Sequence, residues 1–135
     1  MLRRFAALGL LLPALSGCLS LQSDEEKEAE AEKKVLARHD ELMARMDELY
    51  TLRQQLNQAA DTVAAGRQRR ALLRADGAMM NWMHQYRKPA DSVSHARTLA
   101  YFSRQQHHID SVGVLMQQSI DSARALLPAV APAAH

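Results

Sequence analysis

The stretch that decides the fold runs from His95 to Leu127, HARTLAYFSRQQHHIDSVGVLMQQSIDSARALL. Within it His95, Leu99, Phe102, Gln106, Ile109, Gly113, Met116, Ile120, Ala123 and Leu127 recur at spacings of four and three. At 3.6 residues per turn, that spacing stacks them on one helix face. Pro128 is expected to close the helix, since it lacks an N–H and crowds the preceding turn. Residues 128–135, PAVAPAAH, then form a short Pro/Ala tail with nothing to bury. Upstream, Pro89 marks a break, and Asp91 or Ser92 is the expected N-cap.

Two more helices precede that break. A second seam, Leu72, Asp76, Met79, Met83 and Tyr86, is flanked by Leu73, Ala75, Met80 and Trp82, so a helix is expected over about Arg67–Lys88. A third seam, Val35, His39, Leu42, Met46, Leu49, Arg53 and Leu56, has coiled-coil spacing, and Leu36, Met43 and Tyr50 widen its apolar face. This helix ends between Asn57 and Gly66; Asp61 can cap the next helix or Gly66 can terminate this one. No segment alternates with a period of two, so no strand is expected. Short connections then imply an all-α, antiparallel three-helix bundle with coiled-coil-like seams over residues 35–127.

The 135-residue length fits one domain, and a single cysteine excludes a disulfide framework and a four-thiolate zinc site. Charge is unevenly spread. Asp24–Glu48 holds ten acids against five bases, and Leu49–Lys88 seven bases against two acids. The reading is a solvated surface, with a docking patch as the alternative.

Ahead of the bundle, Met1-Leu2-Arg3-Arg4 and the apolar run Phe5–Leu12 have the layout of a signal peptide, and the run is too short to span a bilayer. Leu15-Ser16-Gly17-Cys18 then resembles the lipobox of bacterial lipoproteins. The resemblance implies cleavage of residues 1–17, a diacylglycerol on the Cys18 thiol and an N-acyl chain on its amino group. Two or three acyl chains suffice for stable membrane anchoring. Leu19, rather than Asp, after the cysteine implies an outer-membrane lipoprotein facing the periplasm or the cell surface. The mature chain, Cys18–His135, loses Arg3 and Arg4 and is left with 15 bases against 15 acids, so no nucleic-acid partner is expected. Residues 18–34, with the acidic run DEEKEAEAEKK, lack an apolar stripe and read as a charged tether.

Three stretches resemble a family of small Bacteroidota lipoproteins commonly labelled "viral A-type inclusion protein". They are His39–Met46 (HDELMARM), Ala75–Met83 (ADGAMMNWM), and Tyr101 together with Met116, Ser119-Ile120 and Ala123. The chain departs from that pattern at Asn81, where the family often carries an acid. The resemblance implies a helical lipoprotein and brings no activity with it.

No glycine-bracketed serine, paired seam carboxylates or glycine-rich phosphate loop points to an enzyme. The expected role is a membrane-anchored structural or protein-interaction module with a protein partner. The alternative is a periplasmic copper-binding protein, since thioether and imidazole donors suit copper(I). Its candidate ligands are His39, Met43, Met83 and His95, although methionine on apolar faces is ordinarily core filler. His84, His107 and His108 fall off the seams. Arg53, Asp76 and Gln106 interrupt the three seams at similar depth; either they form one polar layer that sets helix register, or Arg53 and Asp76 snorkel at the seam's edge and never meet.

Overall fold

The computed structural model describes residues 22–60 and 62–130. The expected signal peptide, Cys18 as the expected lipidation site, Leu19, Asp61 and residues 131–135 lie outside them. The described residues form α1 (Asp24–Met43), α2 (Met46–Gln58), α3 (Val63–Gln85) and α4 (His95–Val130), and no strand.

Helix α1 begins at Asp24, within the stretch expected to be a tether. A capping box starts it: Glu26 N–H donates to Ser23 Oγ (3.1 Å) and Ser23 N–H donates to Glu26 Oε2 (2.9 Å). Asp24, Glu25 and Glu26 also place negative charge at the positive end of the helix dipole. The segment packs as well as caps. Ala31 lies against the core, and Glu28 and Glu32 pair with His95 and Lys88. These contacts supply what the absent apolar stripe could not.

Around Ala44 and Arg45 the ladder tightens, with Arg45 N–H bonding to the Leu42 carbonyl at 3.0 Å. The buried heptad Val35, Leu42, Leu49, Leu56 runs through this interruption, so α1 and α2 act as one rod. Thr62, rather than Asp61, caps α3, its Oγ1 accepting from Ala65 N–H at 3.0 Å. Gly66 therefore lies inside α3. At its other end α3 stops at Gln85, before the expected Lys88, because Tyr86 turns to an extended conformation. The Arg87 N–H is taken by the Tyr101 hydroxyl at 2.8 Å instead of by a helix carbonyl.

Rod, α3 and α4 run up, down and up, which makes the molecule an all-α three-helix bundle. Contacts fix the levels. Along rod and α4, Glu28 meets His95, Arg38 meets Asp110 and Arg45 meets Gln117, all in parallel order. Along rod and α3, His39 meets Trp82 and Leu56 meets Arg69, in antiparallel order. The core between them holds Trp82, Phe102, Leu72, Met79, Ile109, Met116 and Ile120 beside the rod's heptad. Pro128 does not close α4, which continues to Val130. Losing one hydrogen bond near a helix end disturbs little that continues beyond it.

Candidate functional site

The expected polar layer does not assemble. The Arg53 guanidinium lies 5.6 Å from the centroid of the Tyr50 ring, and Gln106 Nε2 donates to both oxygens of Asp110 at 3.2 Å. Half-buried Asp76 makes no hydrogen bond or ion pair with either among the described residues. Register explains the miss. The pairing of the Leu56 carbonyl with Arg69 sets Arg53 level with Leu72, one helical turn from Asp76.

A different polar seam joins rod to α4. Arg38 binds Glu41 on its own helix at 2.7 Å and Asp110 across the seam at 3.2 Å. Those carboxylates hold its guanidinium pKa above the ordinary value, the Glu41 hydrogen bond contributing most. Gly113 makes the crossing possible. A Cβ there would run into the Arg38 guanidinium and meet Leu42 Cδ2 at 3.3 Å. Further along, Arg45 donates to Gln117 at 2.6 Å, and Glu48 pairs with Arg124.

The copper candidates sit in different surroundings. His39 Nδ1 lies 2.9 Å from its neighbour Asp40, and its ring stacks on Trp82 at 5.6 Å between centroids. Met43 is on the outer surface, and Met83 packs against the core. His95, expected on a seam, is exposed at the start of α4, with Nδ1 2.6 Å from Glu28 and Nε2 3.6 Å from Glu25. The Glu28 hydrogen bond raises the imidazole pKa, and Glu25 and Asp24 add to it. Among the described residues no three His, Cys, Asp or Glu side chains are grouped to hold a metal ion.

Nearby, an aromatic row crosses the bundle from His39 through Trp82, Tyr86 and Tyr101 to Phe102, with successive centroids 5.1–6.1 Å apart. Burial, with the Glu32 carboxylate beside it, pushes the Tyr86 hydroxyl up to about 12. The row ties rod, α3 and α4 together. At the opposite end, a groove of about 830 Å³ lies between α2 and the end of α4, floored by Leu52, Ala59 and Leu127 and edged by the Glu48–Arg124 pair.

The remaining feature is an apolar strip. Leu36, Met43 and Tyr50 on the rod, and Leu73 and Met80 on α3, were expected to widen the core. Instead each is between 37 % and 56 % exposed. All five recur at intervals of seven on their helices and lie beside the rod–α3 seam, on the face turned away from α4. One covering helix cannot bury both faces of a two-helix layer, so this side stays open. Gly77, between Leu73 and Met80, has no atom within 4 Å of where its Cβ would be. Compared with known proteins, the chain matches no family model, no curated protein and no solved structure.

Proposed function

We propose that this chain is a lipid-anchored helical interaction module of the bacterial cell envelope, which docks a protein partner on its open apolar face. The observation that carries the docking role is the strip of Leu36, Met43, Tyr50, Leu73 and Met80 left outside the core. Anchorage rests on the lipobox-like Leu15–Cys18 and on the acyl chains it implies at Cys18. Asp24 opens α1 soon after Cys18, so the end of the bundle carrying Glu25, Glu28 and His95 would stand closest to the membrane. Leu19 favours the outer membrane, with the bundle in the periplasm or at the surface. Among the described residues no helix is long and apolar enough to cross a membrane.

Two experiments test the parts separately. Cys18→Ser should abolish palmitate labelling and accumulate uncleaved precursor; labelling equal to wild type defeats the anchor. A photo-crosslinking amino acid at Met43 should form a discrete protein adduct in cells, while one at exposed Val114 on α4 should not. Equal adduct yields at the two positions, or none at Met43, defeat the docking role.

A further inference from the structure

Tertiary structure gathers one sign of charge at the end of the bundle farthest from His95. The register set by Leu56 with Arg69 and by Glu48 with Arg124 brings residues 49–60, 62–75 and 122–130 together there. Those segments carry Arg53, Arg67, Arg69, Arg70, Arg74 and Arg124, and no Asp or Glu among the described residues. With Asp61 counted, the excess is still five positive charges. Three of the arginines are engaged: Arg53 over Tyr50, Arg69 with the Leu56 carbonyl and Arg124 with Glu48. Arg67, Arg70 and Arg74 are exposed and make no hydrogen bond or ion pair among the described residues. Following Val63 at intervals of four, three and four, they form one outward stripe about 16 Å long on α3. The stripe does not help α3 to fold. Its first turn has no acid, and Arg69 and Arg70 fold back to 3.6 and 3.5 Å from where a Gly66 Cβ would stand. Cations crowded at the positive end of a helix dipole oppose it.

Going beyond the docking of a protein on the apolar strip, we infer that this stripe binds the phosphate groups of an anionic phospholipid bilayer. The planar guanidinium fork grips phosphate oxygens two at a time, and all the cations here are arginine rather than lysine. Lipid headgroups move laterally to meet cations wherever the helix spaces them, so a convex face without a preformed pocket suffices. Val63, 80 % exposed at the head of the stripe, adds the apolar contact that an interfacial helix makes with a bilayer. No aromatic ring stands among Arg67, Arg70 and Arg74 to stack a base, as single-stranded nucleic acid would need. Under the lipid-anchor reading, the acidic end with Glu25 and Glu28 stands at the anchoring membrane. The stripe lies about 40–50 Å along the rod from that end. The bilayer it meets is then a second one, and the chain bridges the gap.

Vesicle capture by the full chain tests the stripe. The chain is loaded on neutral phosphatidylcholine vesicles and offered labelled acceptor vesicles with or without phosphatidylglycerol. Capture is expected only with phosphatidylglycerol, and added salt should release it. Arg67→Gln, Arg70→Gln and Arg74→Gln together should weaken capture roughly 100-fold, at about fivefold per arginine. Lys33→Gln, Arg97→Gln and Arg104→Gln together remove the same charge from exposed sites elsewhere and should leave capture near wild type. All six positions are exposed and glutamine is a good helix former, so both variants should fold. Equal losses in the two variants reduce the effect to net charge and overturn the stripe. Absence of capture, with stripe-dependent binding of duplex DNA or polyglutamate instead, overturns the bilayer as partner. Absence of binding to any of these overturns the stripe altogether. A chain that washes off the neutral vesicles defeats the anchor instead; its own sedimentation with phosphatidylglycerol vesicles then reads the stripe through the same two variants.

Discussion

Under α4, the rod meets its neighbour with ion pairs, hydrogen bonds and a glycine that seats an arginine; on the opposite face, rod and α3 present bare Leu, Met and Tyr side chains. Both faces follow the same heptad interval. Val35, Leu42 and Leu49 are buried, and the residues immediately following them, Leu36, Met43 and Tyr50, are exposed. A step of about 100° around the helix separates core from open surface. Burial here is decided by what lies opposite a residue rather than by how apolar it is.

The comparison can be broken most forcefully from inside. Trp82 is buried, stacks on His39 and lies tilted against Tyr86, and belongs to the row that ties rod, α3 and α4 together. Trp82→Ala is expected to cost about 3–5 kcal/mol in urea unfolding. Trp82→Phe should cost much less, because Nε1 makes no hydrogen bond among the described residues. A Phe variant as damaged as Ala would show that the indole has a partner.

Two helical glycines, Gly113 and Gly77, sharpen the contrast. At Gly113, under α4, a valine must displace Arg38 from Asp110 and press on Leu42, at an expected cost of about 1–3 kcal/mol. At Gly77, on the open face, an added methyl meets nothing within the chain. Gly77→Ala should therefore stabilise the isolated bundle by roughly 0.5–1 kcal/mol through helix propensity. Opposite signs for the two substitutions in thermal unfolding are the expected outcome; a destabilising Gly77→Ala in the monomer contradicts the open face.

On the strip itself, Met43→Ser should change monomer stability by no more than about 0.5 kcal/mol, since the side chain is already partly in water. The same change should weaken photo-crosslinking of the protein partner from a probe at Met80, a separation that a core methionine could not show.

The smallest effect lies at the end of the bundle. His95 has its pKa raised by Glu28, with Glu25 and Asp24 nearby, so the folded state binds the proton more tightly than the unfolded one. The stabilisation is complete below the unfolded value of about 6.5 and is lost as pH rises through the higher folded value. The melting temperature should fall slightly across that window, and His95→Gln should flatten the fall. An unchanged slope in the variant would place the effect elsewhere.

Sequence alone determined the number of long helical units, their heptad seams and the break at Pro89, because these depend on local periodicity and on proline's missing donor. It also held the start of α1 in plain form. Ser23-x-x-Glu26 is a capping box, but the acidic residues behind it disguise the helix as a solvated spacer. Register and coverage were decided only by tertiary packing. Arg53, Asp76 and Gln106 share seam positions, yet a one-turn offset between rod and α3 sends Arg53 to Tyr50 and Gln106 to Asp110. The exposure of Leu36, Met43, Tyr50, Leu73 and Met80 was equally out of reach of periodicity. An apolar face shows in the sequence of its own helix, but whether anything covers it depends on where the other helices lie.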